Sequence, residues 1–234
     1  PGLADKVPFG FSNYRGVLLT ATENDATCAE MSRVPFALGN YDAIRSVYEP
    51  LGDQRSPPGM NWQTPTGHAI RRATTDLLAY QPDPPGPKYI LLVTDGNPDT
   101  CQMKDPQCGQ DVSIKAVQEA RAQGIGTLVV GIGDIVMNPN NGCNAQQARC
   151  GSLHLQDMAN AGEGLPVQAP PAEFVYQPCV AAYNGMLQAA YAPTTAANAP
   201  FFTATTGAEL KTALEGLLNG VVSCTFDMNA TVTG

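Results

Sequence analysis

Residues 88–101 read KYILLVTDGNPDTC, and this run constrains the fold more than any other. Tyr89 to Val93 is an apolar stretch of strand length, and Thr94-Asp95-Gly96 is an acidic turn. A strand apolar at every position is one buried on both faces, the mark of a parallel sheet under helices. The turn puts a carboxylate at the carboxyl end of that strand, where open α/β sheets keep their sites. Residues 125–133, IGTLVVGIG, form a second run of the same kind. Between the two, Ile114, Val117 and Ala120 recur at helical spacing, with Asp111 placed to cap the helix and Gly124 to end it. The pattern predicts a strand–helix–strand unit.

The flanking chain extends this alternation. Residues 67–80 predict a helix with Ile70, Ala73, Leu77 and Leu78 inward. Short extended pieces are expected at Val7–Phe11 and Arg33–Ala37, and a helix capped at Asn40 is expected to run to Tyr48. Further helices are expected at Leu153–Ala161, Val180–Tyr191 and Ala208–Leu218. Short strands are expected at Phe201–Ala204 and Val221–Phe226. Residues 133–199 read as loop insertions rich in Pro and Ala. The expected class is α/β: a doubly wound, mostly parallel sheet with helices on both faces, forming a single domain over residues 1–234.

Composition narrows the function classes. The net charge of −8 leaves nothing to neutralise a run of phosphates, so nucleic acid and anionic lipid are unsuitable partners. Divalent cations and neutral or basic partners suit it better. No apolar run approaches the ~20 residues that span a bilayer. Pro1-Gly2-Leu3-Ala4-Asp5 is not a signal peptide, and the chain reads as a processed or partial product. Seven cysteines is a high count for 234 residues. Cys101 and Cys108 bracket a short polar loop, as do Cys143 and Cys150, which points to disulfide staples and an exported protein. Zinc fits less well, since there is no CxxC and His68 and His154 lack ligand-like spacing to the cysteines. No Gly-x-Ser-x-Gly elbow, HExxH or phosphate loop is present, so an enzyme is not expected.

Gln63-Thr64-Pro65-Thr66-Gly67, opening the helix before ILLVTDG, and LVVGIG after it together resemble the von Willebrand factor A (vWA) family. The resemblance runs over most of residues 1–225, and the cysteine-bracketed loops look like those of its secreted bacterial members. It implies a metal-ion-dependent adhesion site at the carboxyl end of the sheet. There Thr64 and Asp95 match a threonine and an aspartate that hold a divalent cation, Mg²⁺ or Ca²⁺, directly or through water. A ligand carboxylate completes the coordination, so the implied partner is a protein or cell-surface ligand. The family's first loop, Asp-x-Ser-x-Ser, is absent. One hydroxyl and one carboxylate are too few for a cation that wants six or more oxygens.

The missing loop follows the family's central strand. Its absence predicts a vacant slot between the strands near residues 7–11 and 89–93, with unpaired backbone groups on both sides. A preceding segment, a strand donated by another chain, or the carboxyl-terminal run Val221–Phe226 could fill it. In the last case Asp227, Asn229 and Thr231 would imitate the missing loop. A structural subunit of a cell-surface assembly, with a vestigial metal site, is the competing functional reading. Simpler roles stand beside each site residue. Asp95-Gly96 is a favourable turn pair, Thr64 a helix-entry residue, and Asp99, Asp105 and Asn138–Asn141 solvated turns. His68 and His154 read as surface or helix-start histidines, and Trp62 and Tyr41 as packing or face residues.

Overall fold

The computed structural model describes residues 3–16, 28–51, 63–100, 106–133, 149–169, 190–193 and 197–227. In chain order the elements are β1 (Phe9–Arg15), β2 (Glu30–Ala37), α1 (Tyr41–Tyr48), α2 (Thr66–Ala79), β3 (Lys88–Thr94), α3 (Pro106–Ala122), β4 (Ile125–Ile132), α4 (Ser152–Glu163), β5 (Phe202–Ala204) and α5 (Gly207–Asp227). Strands β3, β4 and β5 form a parallel sheet in that order, and β1 and β2 form a separate antiparallel pair.

The apolar runs form the expected strands, but only β4 is buried on both faces; Tyr89, Leu91 and Val93 leave one face of β3 uncovered among the described residues, against the expectation of burial on both faces. In β3, Ile90 and Leu92 are buried, and in β4 both Val129 and Val130 are fully buried. Ile90, Leu92, Ile125 and Val129 join Ile70 and Leu77 of α2, Ile114 and Val117 of α3, and Leu155 and Met158 of α4 in the main core. Side chains alternate across a strand, so Val130 points to the other face. There it packs with Ala213, Leu217, Leu210 and Leu214 of α5 and with Phe202. Helices α2, α3 and α4 therefore cover one face of the sheet, and α5 covers part of the other. This is a mixed α/β architecture of the Rossmann-like kind.

Several expectations are corrected. Val221–Phe226 is not a strand but the continuation of α5, which runs unbroken to Asp227. That removes this run as a strand filling for the slot. Asp111 does not cap α3, which starts earlier at Pro106; its carboxylate instead accepts the Tyr191 hydroxyl. Asn40 precedes α1 but makes no side-chain cap bond. Its amide donates to the carbonyls of Phe9 and Pro35, tying the helix entry to the β1–β2 pair. Leu78 is 39% exposed and faces outward from α2. His68 and His154 lie in the first turns of α2 and α4, as helix-start histidines, but both are buried rather than at the surface. The expected partners Cys101 and Cys143, the proposed helix at Val180–Tyr191 apart from its last two residues, Trp62, Asp105 and Asn138–Asn141 lie outside the described residues; Cys108 and Cys150 are fully buried.

Candidate metal and ligand site at the sheet rim

Helix α2 sets the geometry. Its amino terminus meets the carboxyl ends of two strands. At β1, the Gly16 N–H donates to the Gln63 carbonyl at 2.9 Å, and the Tyr14 hydroxyl lies 2.9 Å from the Thr66 hydroxyl. At β3, the loop that leaves Thr94-Asp95 returns to α2, where the Asp99 N–H donates to the Thr64 carbonyl at 2.9 Å. The loop that follows the Asp95 turn is thus tied by backbone to the turn at Thr64. Thr64 is half-buried and Asp95 is exposed.

Local chemistry explains the shape of both turns. Gly96 has φ of 135°, a region that disfavours side chains, so Gly is needed after Asp95. Its N–H donates to the Thr94 hydroxyl, which closes the turn. At the other turn, Gly67 lets α2 touch α3. A Cβ placed there would lie 2.5 Å from the Val112 Cγ1 and 2.7 Å from the Val112 carbonyl oxygen. The close approach seats the first turn of α2 deep in the core, with Thr66, Gly67, His68 and Ala69 all buried.

Tyr14 is the residue that sequence reasoning missed. Burial pushes its phenol above the usual range; hydrogen bonds to Thr66 and Thr94 oppose that rise, and the Asp95 charge adds to it. One side chain therefore links β1, α2 and the end of β3. No pattern in the sequence marks it, because Thr66 lies 52 residues away.

The oxygen chemistry suits a hard cation, but the count of ligands does not. Thr64 offers a hydroxyl and Asp95 a carboxylate, against the six or more oxygens that Mg²⁺ or Ca²⁺ takes. Among the described residues, no group of three or more His, Cys, Asp or Glu side chains could hold a metal ion. Thr64 and Asp95 alone would leave most of such a cation's coordination to water, ligand or another segment.

A second polar cluster lies under α4. Arg149 pairs with Asp157 through two bonds of 2.6 and 2.8 Å, and the Asp157 side chain is only 2% exposed. Burial raises the Asp157 pKa and Arg149 pulls it back down. His154 is held neutral, its pKa lowered to about 3 by burial and then by the nearby Arg149 charge. Tyr191 donates to Asp111, and the Gln118 amide exchanges two bonds with the Ala190 backbone. These contacts fasten the returning chain near residue 190 to α3. Within this cluster, and among the described residues, His154 Nδ1 is buried without a hydrogen-bond partner.

No family model matches the chain, and no curated protein matches it. Its fold is similar to that of the pilus adhesin SpaC from Lactobacillus rhamnosus GG, with a TM-score of 0.54 and 11% identity over 96% of this chain. The chain spans 26% of that adhesin's length. A conserved hypothetical protein, BatB from Bacteroides thetaiotaomicron, matches at a TM-score of 0.34 and 18% identity, covering 68% of this chain and 74% of that one. Among the described residues no helix is long and apolar enough to cross a membrane. What the adhesin shares with this chain is a fold that spans nearly all of it.

Proposed function

We propose that this chain is an exported vWA-like binding domain that engages a protein or cell-surface ligand at the carboxyl end of its parallel sheet. Thr64 and Asp95 would contribute to a Mg²⁺ or Ca²⁺ site of the metal-ion-dependent adhesion kind, with the ligand supplying further oxygen. The observation that supports this reading is the Asp99-to-Thr64 backbone bond, by which the loop following Asp95 returns to the turn at Thr64. Paired cysteines in the bracketed loops would suit export, and the fold shared with a pilus adhesin is compatible with a surface role. Residues 133–199 would shape the contact surface.

Calorimetric titration of the protein with MgCl₂ and CaCl₂ tests the cation. Asp95→Ala and Thr64→Val should each lower the affinity at least tenfold while leaving the circular dichroism spectrum unchanged. Equal affinity in Asp95→Ala would end the cation-dependent reading.

A structural subunit of a surface assembly is the second reading. It is favoured by the apolar residues left uncovered on β3, where Tyr89, Leu91 and Val93 remain 36–38% exposed.

A further inference from the structure

Tyr14 of β1 stands between the two turns that carry Thr64 and Asp95. Its hydroxyl lies 2.9 Å from the Thr66 hydroxyl and also hydrogen-bonds the Thr94 side chain. Thr66 follows Thr64 by two residues, and its hydroxyl donates to the Thr64 carbonyl at 3.3 Å. Thr94 precedes Asp95, and its hydroxyl accepts the Gly96 N–H at 3.3 Å. The three hydroxyls therefore form one series, from Gly96 through Thr94, Tyr14 and Thr66 to the Thr64 carbonyl.

Every bond is satisfied when the series runs in a single sense. A carbonyl only accepts, so the Thr66 proton goes to Thr64. The Thr66 oxygen then accepts from Tyr14, and the phenol oxygen accepts from Thr94. Thr94 is left to accept from Gly96, whose N–H only donates. Hydroxyls aligned head to tail polarise one another, so the loss of one weakens the rest. The series is also shielded from water at both ends, with Thr66 3% and Thr94 7% exposed. Removing the phenol oxygen would leave their hydroxyls short of a partner in buried surroundings.

The Asp99 N–H ties the Thr64 carbonyl to a residue four places beyond Asp95. The series through Tyr14 begins at Gly96, beside the carboxylate itself. It also brings in a third element, since Thr64 precedes α2, Asp95 follows β3 and Tyr14 belongs to β1. The Tyr14 ring packs against both the main core and the Cys28, Ala29 and Ala69 cluster, contacts that a phenylalanine ring would keep. Oxygen donors carried on separate elements share a ligand well only when their spacing is held to about 0.5 Å.

We propose that Tyr14 is the positioning residue of the rim: its hydroxyl couples the Asp95 turn to the Thr64 turn and holds their oxygens at the spacing a bound cation requires. The positioning role rests on the cation reading of Thr64 and Asp95, whereas the coupling of the two turns does not.

Two measurements on one set of proteins test the two parts. Thr66→Val and Thr94→Val, singly and together, are unfolded in urea with Tyr14 present and with Tyr14→Phe. The threonine substitutions should couple by about fivefold or more in the unfolding constant when Tyr14 is present, and by less than about twofold in Tyr14→Phe. MgCl₂ and CaCl₂ titrations are then followed by calorimetry and by near-ultraviolet difference absorption. Tyr14→Phe should bind about tenfold more weakly than wild type with its circular dichroism unchanged. The Asp95 charge acts on the Tyr14 phenol, so cation binding should perturb its absorption in wild type. That difference band should be missing from Tyr14→Phe, although seven of the eight tyrosines remain. Equal cation affinity in the two proteins, or a band that persists in Tyr14→Phe, overturns the positioning role. Threonine coupling that is as large without the hydroxyl overturns the coupling. A wild-type protein that binds neither cation ends the cation reading and the positioning role with it, and the threonine cycle then decides the coupling alone.

Discussion

Replacing Gly67 by Ala probes the contact that seats the rim site. The added Cβ would lie 2.5, 2.7 and 2.8 Å from the Cγ1, carbonyl oxygen and carbonyl carbon of Val112. Comfortable carbon contacts are about 3.5–4.0 Å, so α2 and α3 must separate by roughly 1 Å. Val112 is 1% exposed, and two of the three atoms met are backbone, which cannot swing aside as a side chain can. Overpacking of this kind costs about 1–3 kcal/mol. Ala favours a helix by up to about 1 kcal/mol over Gly, an advantage reduced in the first turn. The net loss should be about 1–2 kcal/mol, which for a domain of this size lowers Tm by roughly 2–8 °C. Thermal and urea unfolding followed by circular dichroism measure it. Gly86→Ala is the matched control, because nothing lies within 4 Å of its added Cβ. That variant should be neutral or gain up to about 1 kcal/mol through a less flexible unfolded chain. A Gly67→Ala protein as stable as wild type would refute the tight α2–α3 contact and, with it, the placement of Thr64.

Three other outcomes follow from titratable groups held away from bulk water. His154, neutral when folded with a pKa of about 3, takes up a proton below its usual 6.5 only when unfolded. Stability should therefore fall as pH drops from 6.5 towards 3, by up to about 1.4 kcal/mol per unit, and His154→Leu should flatten that slope in urea titrations; Asp157, whose raised pKa acts in the opposite sense, is present in both proteins. Arg149→Met strands the Asp157 carboxylate, 2% exposed, and should cost about 3–5 kcal/mol, most of it recovered in the Arg149→Met/Asp157→Leu double variant. Lys88→Met removes two bonds of 2.6 Å to the carbonyls of Leu77, in the last turn of α2, and of Tyr80 just after it, and should cost about 1–2 kcal/mol by chemical denaturation.

The elements most legible in the sequence were those with long apolar runs. The bounds of β3 and β4 agree with the sequence reading to within a residue, although only β4 is covered on both faces while Tyr89, Leu91 and Val93 of β3 stay exposed. The inward residues of α3, Ile114, Val117 and Ala120, are all buried, as their helical spacing requires. Reading failed where a local preference competed with continuity. Val221, Val222 and Phe226 carry strand propensity, yet the backbone continues as α5 through them to Asp227, and Val221 stands at helical spacing, four residues after Leu217. Pro106, well suited to a first helical turn, was the better signal for the start of α3 than Asp111. At the rim, Thr64 and Asp95 could be named from their turns, but Tyr14 could not. Its role depends on a long-range contact that no local spacing encodes.

The placement of α2 also bears on the order in which the molecule assembles. Lys88–Ile132 is a strand–helix–strand unit made of contacts close in sequence, and such contacts form early because little chain entropy is lost in closing them. The β1–β2 ribbon reaches the rest of the protein through α2, by Tyr14 to Thr66 and by the Arg33–Asp76 pair. Its docking closes much longer loops and belongs late on the folding route. Substitutions at Val117 or Val129 should therefore slow refolding, whereas Tyr14→Phe should chiefly hasten unfolding.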